Sequence, residues 1–298
     1  MDKTYRYSVI IPHYNSNGLI VRALDSIPSR ADIQVLVIDD QSTQKCIQTI
    51  SRCTKYSRVQ FVFSDRKMTG GGARNEGLNR ATGGYILFLD ADDYFMSNAF
   101  DIFDQYSNKE IDLIMFKVSS FIEGTEKQGS RHLYLNAVYK KNGLTRFLSN
   151  SQPYAKMISR SFIEKEGIRF EECSAGDDIY FSTQVCLYSK SRQFVPSLVY
   201  MISQNSFSVT ATMNEEKISS ELRQLTKKVQ LIKSSTSSLF STLYFMRNSR
   251  LKYCAEIIAD DQSTLSIKSS AASYNEEVPR LAWLWFRLLQ RLKGKKSE

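Results

Sequence analysis

Runs of four or five mostly apolar residues recur through the first 120 positions, each closed by polar or acidic residues. Tyr7-Ser8-Val9-Ile10-Ile11, Gln34-Val35-Leu36-Val37-Ile38, Val59-Gln60-Phe61-Val62-Phe63, Tyr85-Ile86-Leu87-Phe88-Leu89 and Asp112-Leu113-Ile114-Met115-Phe116 have the length and composition of buried strands. Pro12, which cannot donate to a ladder, ends the first. Between them, Leu19 to Ile27 and Ala73 to Ala81 carry helical spacing, the second entered through Thr69-Gly70-Gly71-Gly72. Strand alternating with helix in this rhythm predicts an α/β layer with right-handed crossovers.

The pattern changes after residue 120. Phe121 to Tyr139 is polar and mixed, with hairpin-like alternation at Leu133-Tyr134-Leu135. Lys141 to Phe147 reads as a helix, Pro153 to Ile158 as a short strand and Ser161 to Lys165 as a helix. Ser174-Ala175-Gly176-Asp177-Asp178 opens a further helix over Ile179 to Leu187. Phe194 to Ile202 reads as a strand pair, and Asn214 to Asn248 as helices rich in Lys, Ser and Leu. In the tail from Arg280 to Lys296, Leu281, Leu284, Trp285, Leu288, Leu289 and Leu292 share one helical stripe, with basic residues between and after them. Such a helix suits a membrane surface contact through 281–296. Docking on its own domain or on a second subunit would satisfy the stripe equally.

Composition narrows the class. The 298 residues are 42% hydrophobic and 12% aromatic, enough for one large domain or two fused units, and unlike a disordered chain. A net charge of +9 suits anionic partners: phosphorylated ligands, membrane lipids or nucleic acid. His13 and His132 are the two histidines, which excludes a histidine-rich metal site. Five scattered cysteines without a CxxC spacing point to a reducing compartment. Met1 to Arg6 is polar, unlike a signal peptide, and no run approaches the ~20 apolar residues of a spanning helix. A soluble or peripheral protein is expected, in the cytoplasm or on the inner face of the cell membrane.

Carboxylates gather where strands should leave the sheet. Asp90-Ala91-Asp92-Asp93 follows the most apolar run directly. Such crowding is costly beside a hydrophobic core unless a cation holds it together, and hard divalent ions take one or two carboxylates plus substrate phosphates. An acidic turn that caps the next helix accounts for the same residues. Asp39-Asp40 closes the second strand, and Asp177-Asp178 stands at a helix start, where acids are favoured in any case. Three such groups at comparable positions predict a cleft that handles a nucleotide, a cation and a proton. The glycine run lacks the Gly-Lys-Ser/Thr of a Walker-type loop. Nor does it follow the first strand, as a dinucleotide fingerprint would.

Four blocks, in order and spacing, resemble the family 2 glycosyltransferases: Ser8 to Asn15, Val37 to Thr43, Gly72 to Leu78 and Phe88 to Asp93. Pro153-Tyr154-Ala155-Lys156, Ser161 to Phe170 and Gly176-Asp177-Asp178 extend the similarity, which covers about Tyr7 to Thr210. The resemblance implies an inverting, nucleotide-sugar-dependent transferase with the Rossmann-like GT-A fold and a mainly parallel central sheet. It implies a GT-A domain at 1–210, with its nucleotide-sugar half at about 1–120 and its acceptor half at about 121–210. A helical C-terminal region would follow at 211–298. The implied partners are a nucleotide-sugar donor, UDP-linked, and a saccharide or lipid-linked saccharide acceptor in bacterial surface polysaccharide or glycolipid synthesis. No nucleic acid is expected.

Roles follow residue by residue from the same resemblance. Pro12, Tyr14, Asn15 and Asp40 would line the base and ribose pocket, with Asp40 accepting from the base edge. Arg74 would approach the nucleotide or its phosphates, and Asp90 the ribose. Asp92 would hold Mn²⁺ or Mg²⁺, with Asp93 close by. Asp178 matches the catalytic aspartate, while Asp177 replaces the glutamate that usually precedes it. Tyr200 to Ser208 lacks the basic residue many relatives carry, which leaves the diphosphate to the metal and Arg74. Read alone, Tyr14 and Asn15 serve equally as turn residues, Arg74 as a solvated helix face and His13 as a structural donor. Other readings of the chain are a nucleotidyltransferase of the same layered fold and a non-catalytic protein that binds a membrane or an anionic ligand. Glycoside hydrolysis by two carboxylates leaves the nucleotide-like loops unexplained.

Overall fold

The apolar runs assemble into one eight-stranded mixed sheet. The computed structural model describes residues 5–16, 18–43, 51–52, 54–204, 214–246, 269 and 271–273. The strands are β1 (Tyr7–His13), β2 (Ile33–Asp39), β3 (Val59–Phe63), β4 (Tyr85–Phe88), β5 (Tyr94–Phe95), β6 (Leu113–Ile122), β7 (Lys156–Ser159) and β8 (Arg192–Gln204). Their order in the sheet is β3-β2-β1-β4-β7-β6-β8-β5.

The first four strands are mutually parallel, so β1, β2 and β4 end side by side. Every residue of β2 and β4 is buried, as layers on both faces of a parallel sheet require. The crossovers carry α1 (Leu19–Asp25) and α2 (Gly70–Arg80). Thr69 caps α2, its hydroxyl accepting from the Gly72 N–H. After β4 the pairing is mixed. β7 runs antiparallel to β4 and β6, β8 parallel to β6, and β5 antiparallel to β8. Later α-helices among the described residues include α3 (Ala99–Asp104), α4 (Arg131–Tyr139), α5 (Gly143–Leu148), α6 (Arg160–Lys165), α7 (Asp177–Tyr188), α8 (Glu215–Ser235) and α9 (Ser238–Met246).

Two expectations are corrected. Leu133-Tyr134-Leu135 belongs to helix α4, not to a hairpin. Leu135, Val138 and Tyr139 turn inward at helical spacing, while Leu133 and Tyr134 face solvent. Phe194 to Ile202 is one long strand and not a pair. Its pairing with β6 slips in register near Pro196, where a residue without an N–H interrupts the ladder. The short elements β5 and α3 carry too few residues for periodicity to register.

The helical region after residue 213 packs on the site. Asn214 caps α8 by accepting from the Lys217 N–H at 2.9 Å. Leu222, Leu225, Val229 and Ile232 form its buried stripe. Ser220 Oγ donates to the Ala175 carbonyl at 2.9 Å, and Lys227 Nζ reaches Glu171 at 2.7 Å, tying α8 to the loop before α7. The boundary expected at 210/211 and the basic tail at 281–296 lie outside the described residues. Among the described residues no helix is long and apolar enough to cross a membrane.

Helix α2 approaches β1 closely because it presents Gly77 there. A β-carbon at Gly77 would lie 2.3 Å from Ile10 Cγ2, and Ile10 is fully buried with no room to yield. Gly77→Val is therefore expected to lose about 1–3 kcal/mol by overpacking. Gly84→Ala, whose β-carbon would sit 3.5 Å from the Arg6 carbonyl, should lose far less. Urea midpoints of the two variants provide the comparison.

Candidate active site

The adjacent carboxyl ends of β1, β2 and β4 open into a cleft of ≈ 1640 Å³. Open α/β sheets bind ligands at such ends. All ten side chains singled out from the sequence border it: Pro12, Tyr14, Asn15, Asp40, Arg74, Asp90, Asp92, Asp93, Asp177 and Asp178. Three acidic groups, the outermost being Asp40 and Asp178, 138 positions apart, thus share one cavity.

At the β1 and β2 ends the loops are locked to each other. Asn15 takes a positive φ of 46°, and its Oδ1 accepts from the Thr43 N–H at 2.9 Å. Its own N–H donates to Ser42 Oγ at 2.9 Å. His13 Nδ1 lies 2.8 Å from Asp39 Oδ1 in the buried layer beneath, the structural role open to it in the sequence. Asp40 is buried and accepts from the Met68 N–H, while its other oxygen meets Lys67 Nζ at 3.0 Å. Lys67 in turn lies 3.2 Å from the centre of the Tyr14 ring, a cation–π contact at the mouth of the pocket. Sequence reasoning passed over Lys67, which carries no motif.

Arg74 joins the two ends of the acidic cluster. Its guanidinium donates to Asp90 Oδ1 at 2.7 Å and to Asp177 Oδ2 at 2.9 Å, with 11% of its side chain exposed. Burial works against its charge, but Asp90 and Asp177 hold the guanidinium above its ordinary pKa. Burial likewise raises the Asp177 carboxyl, and Arg74 opposes that rise. The glycine run makes this contact reachable. A β-carbon on Gly71 would come within 2.2 Å of the Glu171 carbonyl, and one on Gly70 within 3.0 Å of Arg74 Nη1. The three glycines are a docking seam between α2 and the loop ahead of α7.

The Asp90-Ala91-Asp92-Asp93 turn divides its carboxylates among different surroundings. Asp93, expected beside the metal, is 3% exposed, accepting from the Tyr200 hydroxyl and the Ser203 N–H at 2.8 Å each. Burial, then the neighbouring Asp90 and Asp92, push its carboxyl well above the usual range. Tyr200 also accepts from the Asp90 N–H at 3.0 Å and stacks on Tyr154, ring centres 4.7 Å apart. Asp92 is half-buried at the cleft. Its carbonyl accepts from Arg22, which also binds Glu123 at 2.9 Å.

Among the described residues, no three His, Cys, Asp or Glu side chains converge as a preformed metal cage. The donors at hand are hard carboxylate oxygens, with Asp92 foremost. Mg²⁺-type sites commonly use one or two carboxylates together with substrate phosphates. The residues therefore fit a cation that arrives with a diphosphate.

Asp178 opens the first turn of α7, beside Asp177. Burial, reinforced by Asp177, pushes its carboxyl up to about 7, against the pull of Arg74 and Lys156. Lys156 on β7 is buried, which lowers its own pKa to about 7. Its Nζ donates to the Asn150 carbonyl at 3.0 Å, to the Gln152 carbonyl, and at 3.5 Å to Ser182 Oγ on α7. It thereby fastens the cleft-lining loop to the helix that carries Asp178. Gln204, in the stretch without a basic residue, accepts from the Arg131 N–H at 2.9 Å and holds the start of α4.

Residues 8–167 match the family model described as Glycosyl transferase family 2. The chain belongs to glycosyl transferase family 2. Its fold is the GT-A fold of that family. It is similar to the amylovoran biosynthesis glycosyltransferase AmsB of Erwinia amylovora, 39% identical over 97 residues, 30% of this chain and 32% of that protein. The poly(ribitol-phosphate) beta-glucosyltransferase of Bacillus spizizenii is 36% identical over 100 residues, 32% of this chain and 16% of that protein. These matches thus span about a third or less of the relatives' own lengths. Among solved structures, S. aureus TarS 1-349 in complex with UDP-GlcNAc superimposes with a TM-score of 0.75 at 17% identity. That superposition covers 93% of this chain and 82% of TarS. A mannosyltransferase from Pyrobaculum calidifontis in complex with GDP-Man and Mn²⁺ gives a TM-score of 0.59 at 16% identity, covering 98% and 81%. At these identities the superpositions speak for the fold alone.

Removing the shared cation should unsettle both acids of this glycosyltransferase-family cleft. Arg74→Met is expected to destabilise by about 2–4 kcal/mol, under the ~3–5 of a fully buried broken pair because Asp90 and Asp177 stay partly solvated. Adding Asp177→Asn should recover part of the loss, as read by a double-mutant cycle in denaturant.

Proposed function

We propose that the protein transfers a sugar from a nucleoside diphosphate sugar, UDP-linked, to an acceptor hydroxyl with inversion at the anomeric carbon. The observation that carries this reading is the single cleft shared by Asp40, Asp90, Asp92 and Asp178. The nucleotide would lie over the β1, β2 and β4 ends, between the Tyr14–Asn15 loop and Asp40, with its ribose toward Asp90. Asp92 would hold Mn²⁺ or Mg²⁺ on the diphosphate. When bound, such an ion stabilises the negative charge that grows on the departing diphosphate. Asp93 would serve as an anchor of the turn, and Arg74 would position Asp90 and Asp177.

Asp178 would take the proton of the acceptor hydroxyl as its oxygen attacks. A carboxylate raised to about 7 is suited to that task, because a base works best with a pKa near the working pH. Asp177, bound to Arg74, would help keep Asp178 raised. The relatives named for amylovoran and poly(ribitol-phosphate) support a place in bacterial polysaccharide or teichoic acid synthesis. The UDP-GlcNAc bound by TarS supports a UDP-linked donor. Site and fold together favour a GT-A domain running to about residue 210, with the helical region that follows closing one wall of the cleft.

A screen of nucleotide sugars scored by nucleoside diphosphate release tests the reaction. Pyrophosphate release with a sugar phosphate would instead identify a nucleotidyltransferase. Asp178→Asn should lower kcat about 10²–10⁴-fold while the thermal shift given by UDP with Mn²⁺ is kept. In the unmodified enzyme kcat/KM should fall about tenfold per pH unit below about 7, where Asp178 holds a proton, and level off above it. Normal turnover by the Asn variant would remove Asp178 from the mechanism. Chelation with EDTA should silence transfer, and added Mn²⁺ or Mg²⁺ should restore it. Undiminished activity without metal would reject the role of Asp92.

A further inference from the structure

Beyond β4 the cleft is bounded by the segment that leads into β7. Antiparallel pairing with β4 sets the start of β7, and hence Lys156, at the carboxyl end of β4, beside the acidic turn. The ends of β1 and β2, with Asp40, lie on the other side of β4. Ser151, Gln152, Pro153 and Tyr154 border the cleft together with Asp178. They form a wall on the side away from Asp40, where an acceptor would meet the base.

Lys156 is 4% exposed, and among the described residues no carboxylate pairs with it. A buried ammonium is costly unless its three protons find acceptors. Its Nζ donates to the Asn150 carbonyl at 3.0 Å and to the Gln152 carbonyl, and lies 3.5 Å from Ser182 Oγ. Ser182 stands one turn beyond Asp178 on α7, and its own hydroxyl donates to the Ser151 carbonyl at 2.6 Å. Wall and helix therefore join at one ammonium and one hydroxyl. The wall is strained where it enters β7. The buried Ala155 takes a positive φ of 51°, between Tyr154, which stacks on Tyr200, and Lys156. Its carbonyl accepts from the Phe116 N–H at 2.9 Å. A residue with a β-carbon keeps such a conformation only where its surroundings enforce it, and positions of this kind gather at functional sites.

We propose that Lys156 is a positioning residue for sugar transfer, holding the wall at 150–154, against which the acceptor rests, at a fixed distance from Asp178. This role rests on the glycosyl-transfer reading. There the acceptor oxygen bonds to the anomeric carbon as the bond from that carbon to the diphosphate oxygen breaks. The bonding pair leaves with the nucleoside diphosphate, and the hydroxyl proton passes to Asp178. A base takes such a proton from within about 2.6–3.2 Å, and a misplacement of about 1 Å can cost on the order of 100-fold in rate. The ammonium also acts through its charge. Burial and Asp177 raise the Asp178 carboxyl, Arg74 on α2 and Lys156 on β7 draw it down, and Asp90 after β4 raises it. Lys156 itself faces Cys186 and Asp178 on α7 and Lys228 on α8.

Steady-state kinetics of two variants of the full chain, with its best donor and acceptor, test this. Lys156→Met keeps the reach of the side chain and removes the ammonium. It should lower kcat/KM for the acceptor about 10–100-fold, while the thermal shift given by UDP with Mn²⁺ is kept. Its acid limb should move to higher pH by about 0.5–1 unit, because Asp178 loses a cation that favours its charged form. Ser182→Ala cuts the hydroxyl link to α7 and leaves the charge in place. There kcat/KM for the acceptor should fall about tenfold with the limb unmoved. This variant removes a single hydroxyl, so it carries the test even where Lys156→Met does not fold. Unchanged kcat/KM in either folded variant overturns the assignment. So does a loss in Lys156→Met with the limb unmoved or with the UDP shift gone, which would mark Lys156 as a support of the fold alone. If the unmodified chain transfers sugar and the variants give those results, this inference alone fails. Absence of nucleoside diphosphate release from every nucleotide sugar removes the glycosyl-transfer reading beneath it.

Discussion

One guanidinium, that of Arg74, holds together carboxylates from two distant parts of the chain. Asp90 arrives on the turn after β4 and Asp177 at the start of α7, and both end within 3 Å of Arg74 nitrogens. Without a cation between them, two acids at the edge of a hydrophobic sheet would repel each other and draw in water or protons. With it, they form one wall, and Asp178 is fixed in the next position along the same helix. The local low dielectric makes this arrangement strong and also makes it dependent on every member being present.

The three acids after β4 show how neighbours decide what a carboxylate does. Asp90 is turned into an ion pair, Asp93 is sunk beneath Tyr200 and Ser203, and Asp92 is left at the cleft. A hydrogen-bonded shell surrounds this turn, from Tyr154 stacked on Tyr200 to Arg22 bridging the Asp92 carbonyl and Glu123. Rigidity of that kind keeps a site in register before any ligand arrives. Asp178 is treated differently. It is half-buried at the cleft beside a like charge, which keeps its affinity for a proton high.

The strands of the first half were legible because parallel strands buried on both faces read as uninterrupted apolar runs, as β2 and β4 do. The aspartates were legible because acids stand out where such runs end. Helix α4 was misread because Leu133-Tyr134-Leu135 satisfies a period of two over three residues, and only the burial of Val138 and Tyr139 reveals the longer period. The partners of the site were hidden for a different reason. Tyr200 contacts Asp93 across 107 positions, Arg22 contacts Glu123 across 101, and Arg74 contacts Asp177 across 103. No local pattern encodes pairings of that span. Lys156 lay within a quoted block, yet nothing local marked it as a buried fastening for the loop beside it.

The glycine seam carries a consequence for how such proteins diversify. The backbone of Gly71 passes so near the Glu171 carbonyl that the two segments are fitted to each other atom by atom. A recombination that joined the first half of this chain to the second half of a distant relative would replace one side of that fit and not the other. Hybrids should survive only when the Thr69–Arg74 turn travels with the segment ahead of α7. Change along the cleft would then come more readily by exchanging single side chains on α4 and α8, which line it, than by trading whole halves.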